Sequence, residues 1–216
     1  ANAAMTVEGS NTVVTVVRPN NATNATGSPD ESYMGSGSWK NRGPSYKTTY
    51  NIYPTTAFGH SIKLNDIASL SYVTKKDAPQ GAPDFYVNIY CSKTIFPTYR
   101  LSGEPLYSRN LNAPANQWNT WSTDEGTNQL TFYDSNRQGV PAGFYYGPTL
   151  AQLQAGPINW KDYYAGASST NIDYGDMTIN RFAFETSAGW SNFNGYIDAI
   201  VIKLKNGKTY IFDLEP

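Results

Sequence analysis

The sequence predicts an all-β fold, a jelly-roll β-sandwich of two antiparallel sheets with about ten strands and little helix. Three observations carry this: short segments that alternate apolar and polar residues, frequent Gly, Pro and Asn between them, and only one brief stretch of helical character. The alternation is clearest in Asp84-Phe-Tyr-Val-Asn-Ile-Tyr-Cys91. There Phe85, Val87, Ile89 and Cys91 fall on one face and Asp84, Tyr86, Asn88 and Tyr90 on the other, the period of a β-strand. The first face asks for a dry core. The second offers two phenols, an amide and a carboxylate, which pack against a polar ligand more readily than they seal a core.

In chain order, Asn11–Arg18 alternates Thr and Val and stops before Pro19. Asn20 to Pro29 reads as a polar loop. Tyr46–Tyr53 and His60–Asn65 read as strands separated by Pro54 and Gly59, and Ala68–Lys75 alternates Leu70, Tyr72 and Thr74 against Ser71 and Val73. After Asp84–Cys91 come Tyr99–Tyr107, Gln117–Ser122 and Gln129–Tyr133. From Asp134 to Gly175 repeated Gly and Pro break any period, apart from a short helical pattern at Thr149–Ala155. Met177–Thr186, Gly195–Leu204 and Lys208–Leu214 close the chain, the last two joined by Asn206-Gly207, a strong hairpin signal. The final strand is expected to pair with an early one. With no internal repeat and no linker-like shift in composition, residues 1–216 read as one jelly-roll domain, residues 1–10 being a flexible or processed N-terminus.

Composition excludes several classes. The formal net charge is −1 and charged residues make up 15%, so a nucleic-acid partner has no electrostatic footprint. No apolar run reaches the roughly 20 residues of a membrane span. A positively charged leader with an apolar run is absent from the N-terminal residues. Solubility falls to Asn, Ser, Thr and Gly, a style that suits a secreted, extracellular protein working on neutral or weakly charged polymers. Asn21-Ala-Thr and Asn24-Ala-Thr match the N-glycosylation acceptor pattern. The single cysteine, Cys91, shares parity with Val87 and Ile89 and reads as a core thiol that can form no intrachain disulfide.

Six blocks carry a further likeness: Gly35-Ser-Gly-Ser38, Asp66-Ile-Ala-Ser-Leu-Ser-Tyr72, Trp118-Asn-Thr-Trp121, Pro148-Thr-Leu-Ala-Gln152, Gly189-Trp-Ser-Asn-Phe-Asn-Gly-Tyr-Ile-Asp198 and Tyr210-Ile-Phe-Asp-Leu-Glu-Pro216. In order and spacing they resemble a family of secreted bacterial and fungal jelly-roll proteins, concanavalin-like or carbohydrate-binding-module-like β-sandwiches. The resemblance implies the fold and an extracellular setting. It implies no catalytic residue, because the family has no established mechanism to transfer.

The chemistry expected on the polar face is carbohydrate binding. Sugar C–H patches stack on aromatic rings while hydroxyls bond to amides, carboxylates and guanidinium groups. Tyr86, Asn88 and Tyr90 supply that mixture. Arg100 and Glu104 share parity on the expected neighbouring strand, as do Arg181 and Glu185 on a later one, which makes these seven residues the expected ligand set. The bland reading of the same face is an ordinary solvated sheet with cross-strand pairs. A carbohydrate-active enzyme is the alternative, with His60, Tyr86, Tyr90 and Glu104 as its catalytic candidates. A polysaccharide lyase or dehydratase-type catalyst would use Tyr and the lone His60 for acid–base work, with Arg100 or Arg181 neutralising a carboxylate. A two-carboxylate glycosidase would use Glu104 and Glu185, with Asp84 nearby, and needs its carboxyls about 5–10 Å apart. A structural or adhesive surface protein is the third reading.

No Gly-x-Ser-x-Gly elbow occurs, and one His and one Cys cannot furnish an ordinary catalytic zinc site. No cofactor is required; a structural calcium at Asp198 and Asp213 is the metal expectation, since oxygen ligands suffice for it. The expected partner is a poly- or oligosaccharide, with no nucleic acid and no membrane insertion; the oligomeric state is not legible. Trp118 and Trp121 stand on opposite strand faces. Trp190 and Phe193 read as a structural corner, and Trp39 and Trp160, in irregular surroundings, could overhang a binding site.

Overall fold

The structure is a computed structural model that describes residues 3–6, 11–94, 98–136 and 146–216 of the chain. It is mostly β with little helix, built from several sheets that include a curled half-barrel. Among the described residues there are fifteen strands: β1 (Ala3–Thr6), β2 (Thr12–Val17), β3 (Ala25–Ser28), β4 (Ser38–Asn41), β5 (Thr49–Ile52), β6 (Ile67–Lys76), β7 (Tyr86–Ser92), β8 (Tyr99–Gly103), β9 (Asn119–Ser122), β10 (Phe132–Asp134), β11 (Ile158–Asn159), β12 (Asn171–Ile172), β13 (Thr178–Glu185), β14 (Gly195–Leu204) and β15 (Thr209–Leu214). The helices are α1 (Pro54–Ala57) and α2 (Leu150–Ala155). The Thr149 hydroxyl accepts from the Gln152 N–H, while the Gln152 side chain accepts from the Thr149 N–H. That reciprocal capping box starts α2 where the sequence placed its helical pattern.

Eight strands form one sheet, in which β14 is central: β6 runs along one side of it, and β15 and β4 share the other. Five strands form a second sheet in the order β10-β8-β7-β13-β5, and β11 and β12 form a small third. The expected purely antiparallel pattern is broken once. β15 pairs with the early strand β2, as anticipated, but runs parallel to it, Thr209 opposite Thr12 and Leu214 opposite Val17. Antiparallel pairing with β14 uses one edge of β15, and β2 takes the other after a long excursion of chain, as parallel neighbours require.

More strands form than the sequence suggested because several are short and polar. β3, inside the expected polar loop, pairs with β4; β1, inside the expected flexible N-terminus, pairs with β2. Conversely, His60–Asn65 is not a strand. It makes one isolated bridge, Lys63 to Thr178, and then a 3-10 turn at Leu64–Asp66. Tyr99–Tyr107 splits likewise, the strand ending at Gly103 and Pro105–Tyr107 turning as 3-10.

The core lies between the two larger sheets. Phe85, Val87, Ile89 and Cys91 are all buried, and burying an aliphatic chain of this size stabilises the fold by about 1.5–3 kcal/mol. Tyr72 of β6 meets Phe184 of β13 edge-on at 5.5 Å, and its hydroxyl donates to the Phe85 carbonyl at 2.7 Å. Phe58 bridges Phe182 of β13 and Tyr210 of β15. Trp39 and Trp160 belong to this core and overhang nothing. Their indole N–H groups are satisfied inside it, Trp39 by the Glu215 carbonyl and Trp160 by the Tyr174 hydroxyl, which is what permits such rings to bury fully. Trp121, on β9, is buried, whereas Trp118, just before β9, is half-buried.

Candidate functional site: the polar face of the five-stranded sheet

The face of this sheet turned away from the core carries ordered rows of side chains, set by register. In one row Tyr86 lies opposite Glu185, and Glu185 opposite Thr49; Glu104 follows directly after β8 beside them. In the next, Tyr133, Ser102, Asn88, Ala183 and Asn51 run across all five strands. In the third, Arg100, Tyr90 and Arg181 line up. This last row depends on a β-bulge in β13 between Ile179 and Arg181. The extra residue lets Ile179 and Phe182 both enter the core and sends Arg181 outward against Tyr90. A bulge re-aims side chains in this way.

Where the rows meet, a cleft of about 270 Å³ opens, lined by Lys47, Tyr86, Asn88, Arg100, Ser102, Glu104, Tyr133, Ser135, Ser187 and Trp190. Tyr86 and Trp190 meet edge to face at 5.8 Å, so two aromatic rings sit beside a floor of hydroxyl, amide and charged groups. Beyond Trp190 a more apolar hollow of about 360 Å³ runs past Ala78, Ala82, Pro83 and Phe193. Trp190 lies on the boundary of both.

The floor is a connected hydrogen-bond network. Ser102 donates to the Asn88 carbonyl oxygen and pairs with the Ser135 hydroxyl at 2.6 Å, and the Arg100 Nε donates to Ser135 at 2.9 Å. The Asn88 amide donates to Glu185 at 2.9 Å, and Thr49 donates to the other Glu185 oxygen, which Lys47 pairs at 2.8 Å. The Tyr133 hydroxyl donates to Glu104. Burial raises the Glu104 carboxyl, partly offset by that bond. Burial raises the Tyr86 phenol, the charges of Glu185 and Glu104 raise it further, and Arg100 opposes them. Tyr86 therefore enters the cleft as a neutral hydrogen-bonding phenol, not a phenolate.

Four of the seven expected ligand residues, Tyr86, Asn88, Arg100 and Glu104, line this cleft together. Tyr90 and Arg181 extend the face beyond it, the Arg181 guanidinium stacked 4.0 Å from the Tyr90 ring. Glu185 supports the cleft from beneath, 3% exposed and saturated by its three partners. His60 lies elsewhere. It is exposed, its Nδ1 is 3.0 Å from the Ser61 carbonyl oxygen, and it sits near Lys63, which bridges the Thr178 end of β13. Asp84 is in the interior, bonded by Thr74 at 2.6 Å and by the Phe85 N–H.

Asp198 on β14 and Asp213 on β15 are near one another, since the Leu214 N–H donates to Asp198. Asp198 accepts backbone N–H groups of Met34, Ala199 and Leu214, bracing the bulge where Ala199 has φ 49°. Burial pushes Asp213 up to about 7, helped by Glu215 and Asp198. Burial would raise Glu215 too, but hydrogen bonds from Ser36 and Asp213 bring it down, so Asp213 carries the proton the pair shares. Among the described residues no group of three or more His, Cys, Asp or Glu side chains is arranged to hold a metal ion.

No protein-family model and no curated protein matches the chain. The site therefore rests on its geometry. The sequence reading missed Trp190, Tyr133, Ser102, Ser135 and Lys47. Tyr133 and Ser102 were within reach, because each sits on an expected strand with the right parity. Trp190 was not, because a loop residue is placed by tertiary closure and has no period. The acceptor asparagines are both engaged: the Asn21 side-chain amide donates to the Arg18 carbonyl, and that of Asn24 to the Lys47 carbonyl.

Proposed function

We propose that this chain is a secreted carbohydrate-binding protein that takes a sugar unit into the cleft between Tyr86, Trp190 and Glu104. The observation that carries the reading is the pairing of two aromatic rings with convergent hydroxyl, amide and guanidinium groups in one open concavity. A pyranose offers C–H patches to the rings and hydroxyls to Asn88, Ser135, Arg100 and Glu104. The cleft is just below the roughly 300–1,000 Å³ of sites that engulf drug-sized ligands, so one ring enters while a polymer continues over the surface. The reading takes the two large sheets as the layers of a jelly-roll sandwich, in keeping with the family likeness.

Binding fits better than catalysis. The lyase form asked for His60 beside the tyrosines, and His60 is not among the residues that line the cleft. The glycosidase form asked for two carboxyls facing one cleft, and Glu185 is buried beneath it with both oxygens bonded.

The test is affinity electrophoresis and calorimetry of the whole chain against a panel of soluble neutral and acidic polysaccharides. Binding to at least one polymer is expected, with Tyr86→Ala and Trp190→Ala each weakening it about tenfold or more, as for loss of a stacking platform. Wild-type protein that is folded and binds nothing in the panel, or variants that bind as well as wild type, would overturn the reading.

A further inference from the structure

We propose that the saccharide is anionic, a polymer carrying uronate carboxylates, and that the row Arg100, Tyr90 and Arg181 holds them; this rests on the saccharide reading above. Arg100 and Arg181 flank Tyr90 on neighbouring strands, which sets their backbones roughly 9–10 Å apart. Among the described residues neither guanidinium group forms an ion pair; the ion pairs found are Lys47 with Glu185 and Lys75 with Glu31. Glu185 is paired with Lys47, while Glu104 keeps its own charge, because Tyr133 bonds it as a neutral phenol. Arg100, Arg181 and Lys47 against Glu104 and Glu185 leave the described part of this face with one positive charge in excess, on a chain whose formal net charge is −1.

Both guanidinium groups are held in place. Arg100 is fixed through Nε by Ser135, leaving its terminal N–H groups toward the cleft it lines. Arg181 lies over the Tyr90 ring at 4.0 Å, and its Nε is enclosed with no hydrogen-bond partner. A guanidinium group with no counter-ion retains a strong demand for an anion. A carboxylate satisfies it with two parallel bonds, which a neutral hydroxyl cannot do. Holding both arginines by bonding and stacking reduces the side-chain entropy lost on binding.

The experiment compares polygalacturonate, alginate and hyaluronan with their carboxyl-reduced, neutral counterparts, at about 50 mM and about 500 mM salt. At least one acidic polymer is expected to bind about tenfold or more tighter than its reduced form, with the preference shrinking at high salt. Arg100→Gln and Arg181→Gln should each remove most of that preference, weakening binding of the acidic polymer far more than that of its reduced form. Arg100→Lys and Arg181→Lys, which keep the charge and lose the fork, should retain only part of it. They also serve if a Gln variant fails to fold. Equal binding of acidic and reduced polymers, or a preference that survives the arginine substitutions, overturns the anionic ligand while the saccharide reading stands. Binding to no polymer at all overturns both.

Discussion

The Tyr133 hydroxyl donates to the Glu104 carboxylate on the floor of the cleft, joining β10 to the residue that follows β8. Burial drives the Glu104 carboxyl upward, and this bond is the interaction that restrains it. Removing the donor by Tyr133→Phe should therefore raise the Glu104 pKa further, since the ionised form loses its hydrogen bond. Carbon-detected NMR titration of the carboxyl resonances checks this. A titration that does not move, or moves down, would show that the phenol does not stabilise the ionised form.

Glu185 presents a different balance. It is 3% exposed and carries Asn88, Thr49 and Lys47 on its two oxygens. Glu185→Ala strands the Asn88 amide and the Thr49 hydroxyl, at about 1–3 kcal/mol per buried unsatisfied group. Urea unfolding should show a loss of about 2–4 kcal/mol. Glu185→Gln, which keeps one acceptor, should lose clearly less. Equal losses for the two would mean that lost charge, and not lost hydrogen bonding, is what matters.

How far this site was legible follows from the same residues. The alternation of Asp84–Cys91 fixed which side of β7 is core, because period 2 is a local property of an extended chain. Parity on neighbouring strands then brought Arg100, Glu104, Arg181 and Glu185 to the correct face, even across the bulge, since both β13 residues lie on the same side of it. The strand expected at His60–Asn65 did not form, for the converse reason. The parity of His60 with Ile62 and Leu64 has meaning only if the segment is a strand, and it turns instead. β3 and β4 were missed because Ala25–Ser28 and Ser38–Asn41 contain few β-branched or alternating apolar residues. They are held by backbone pairing and by the packing of Trp39, which no local pattern announces.

Asp84 makes stability depend on pH. Burial pushes its carboxyl up to about 6, against downward pulls from the Thr74 bond, the Lys76 charge and the Phe85 N–H. A folded value above the unfolded one means that the native chain holds the proton more tightly. Its contribution is thus full below about pH 4 and lost as pH rises through about 6. Asp198, also pushed up to about 6 by burial against its backbone hydrogen bonds, acts in the same direction. The melting temperature should fall by several degrees between about pH 4.5 and pH 7, for a loss of a few kcal/mol. Asp84→Asn should flatten that slope. A melting temperature that rises across the window would sink this account.

Cys91 is fully buried, and burial, with a smaller push from Asp134, drives its thiol up to about 12. Only thiolate attacks a disulfide reagent. At about pH 8 the native protein should react with an aromatic disulfide on the timescale of unfolding, and the urea-unfolded chain at once. Rapid reaction under native conditions would place Cys91 outside the core.

Asp198 carries the last expectation, because it separates a backbone brace from a metal ligand. Its carboxylate accepts N–H groups from Met34 at 2.9 Å, Ala199 at 2.7 Å and Leu214 at 3.1 Å, tying the loop before β4 to β14 and β15. Three donors leave few lone pairs to turn toward a cation, whereas calcium typically draws 6–8 oxygens around it. Asp198→Ala should leave these N–H groups unpaired in a fully buried place, costing about 3 kcal/mol or more. Asp198→Asn, with one acceptor oxygen retained, should fall between that variant and wild type. Chelation by EDTA should leave the wild-type melting temperature unchanged to within about 1 °C, and added calcium should not raise it. A calcium-dependent rise of several degrees, abolished in Asp198→Asn, would instead make this carboxylate a ligand and the backbone bonds its positioning shell.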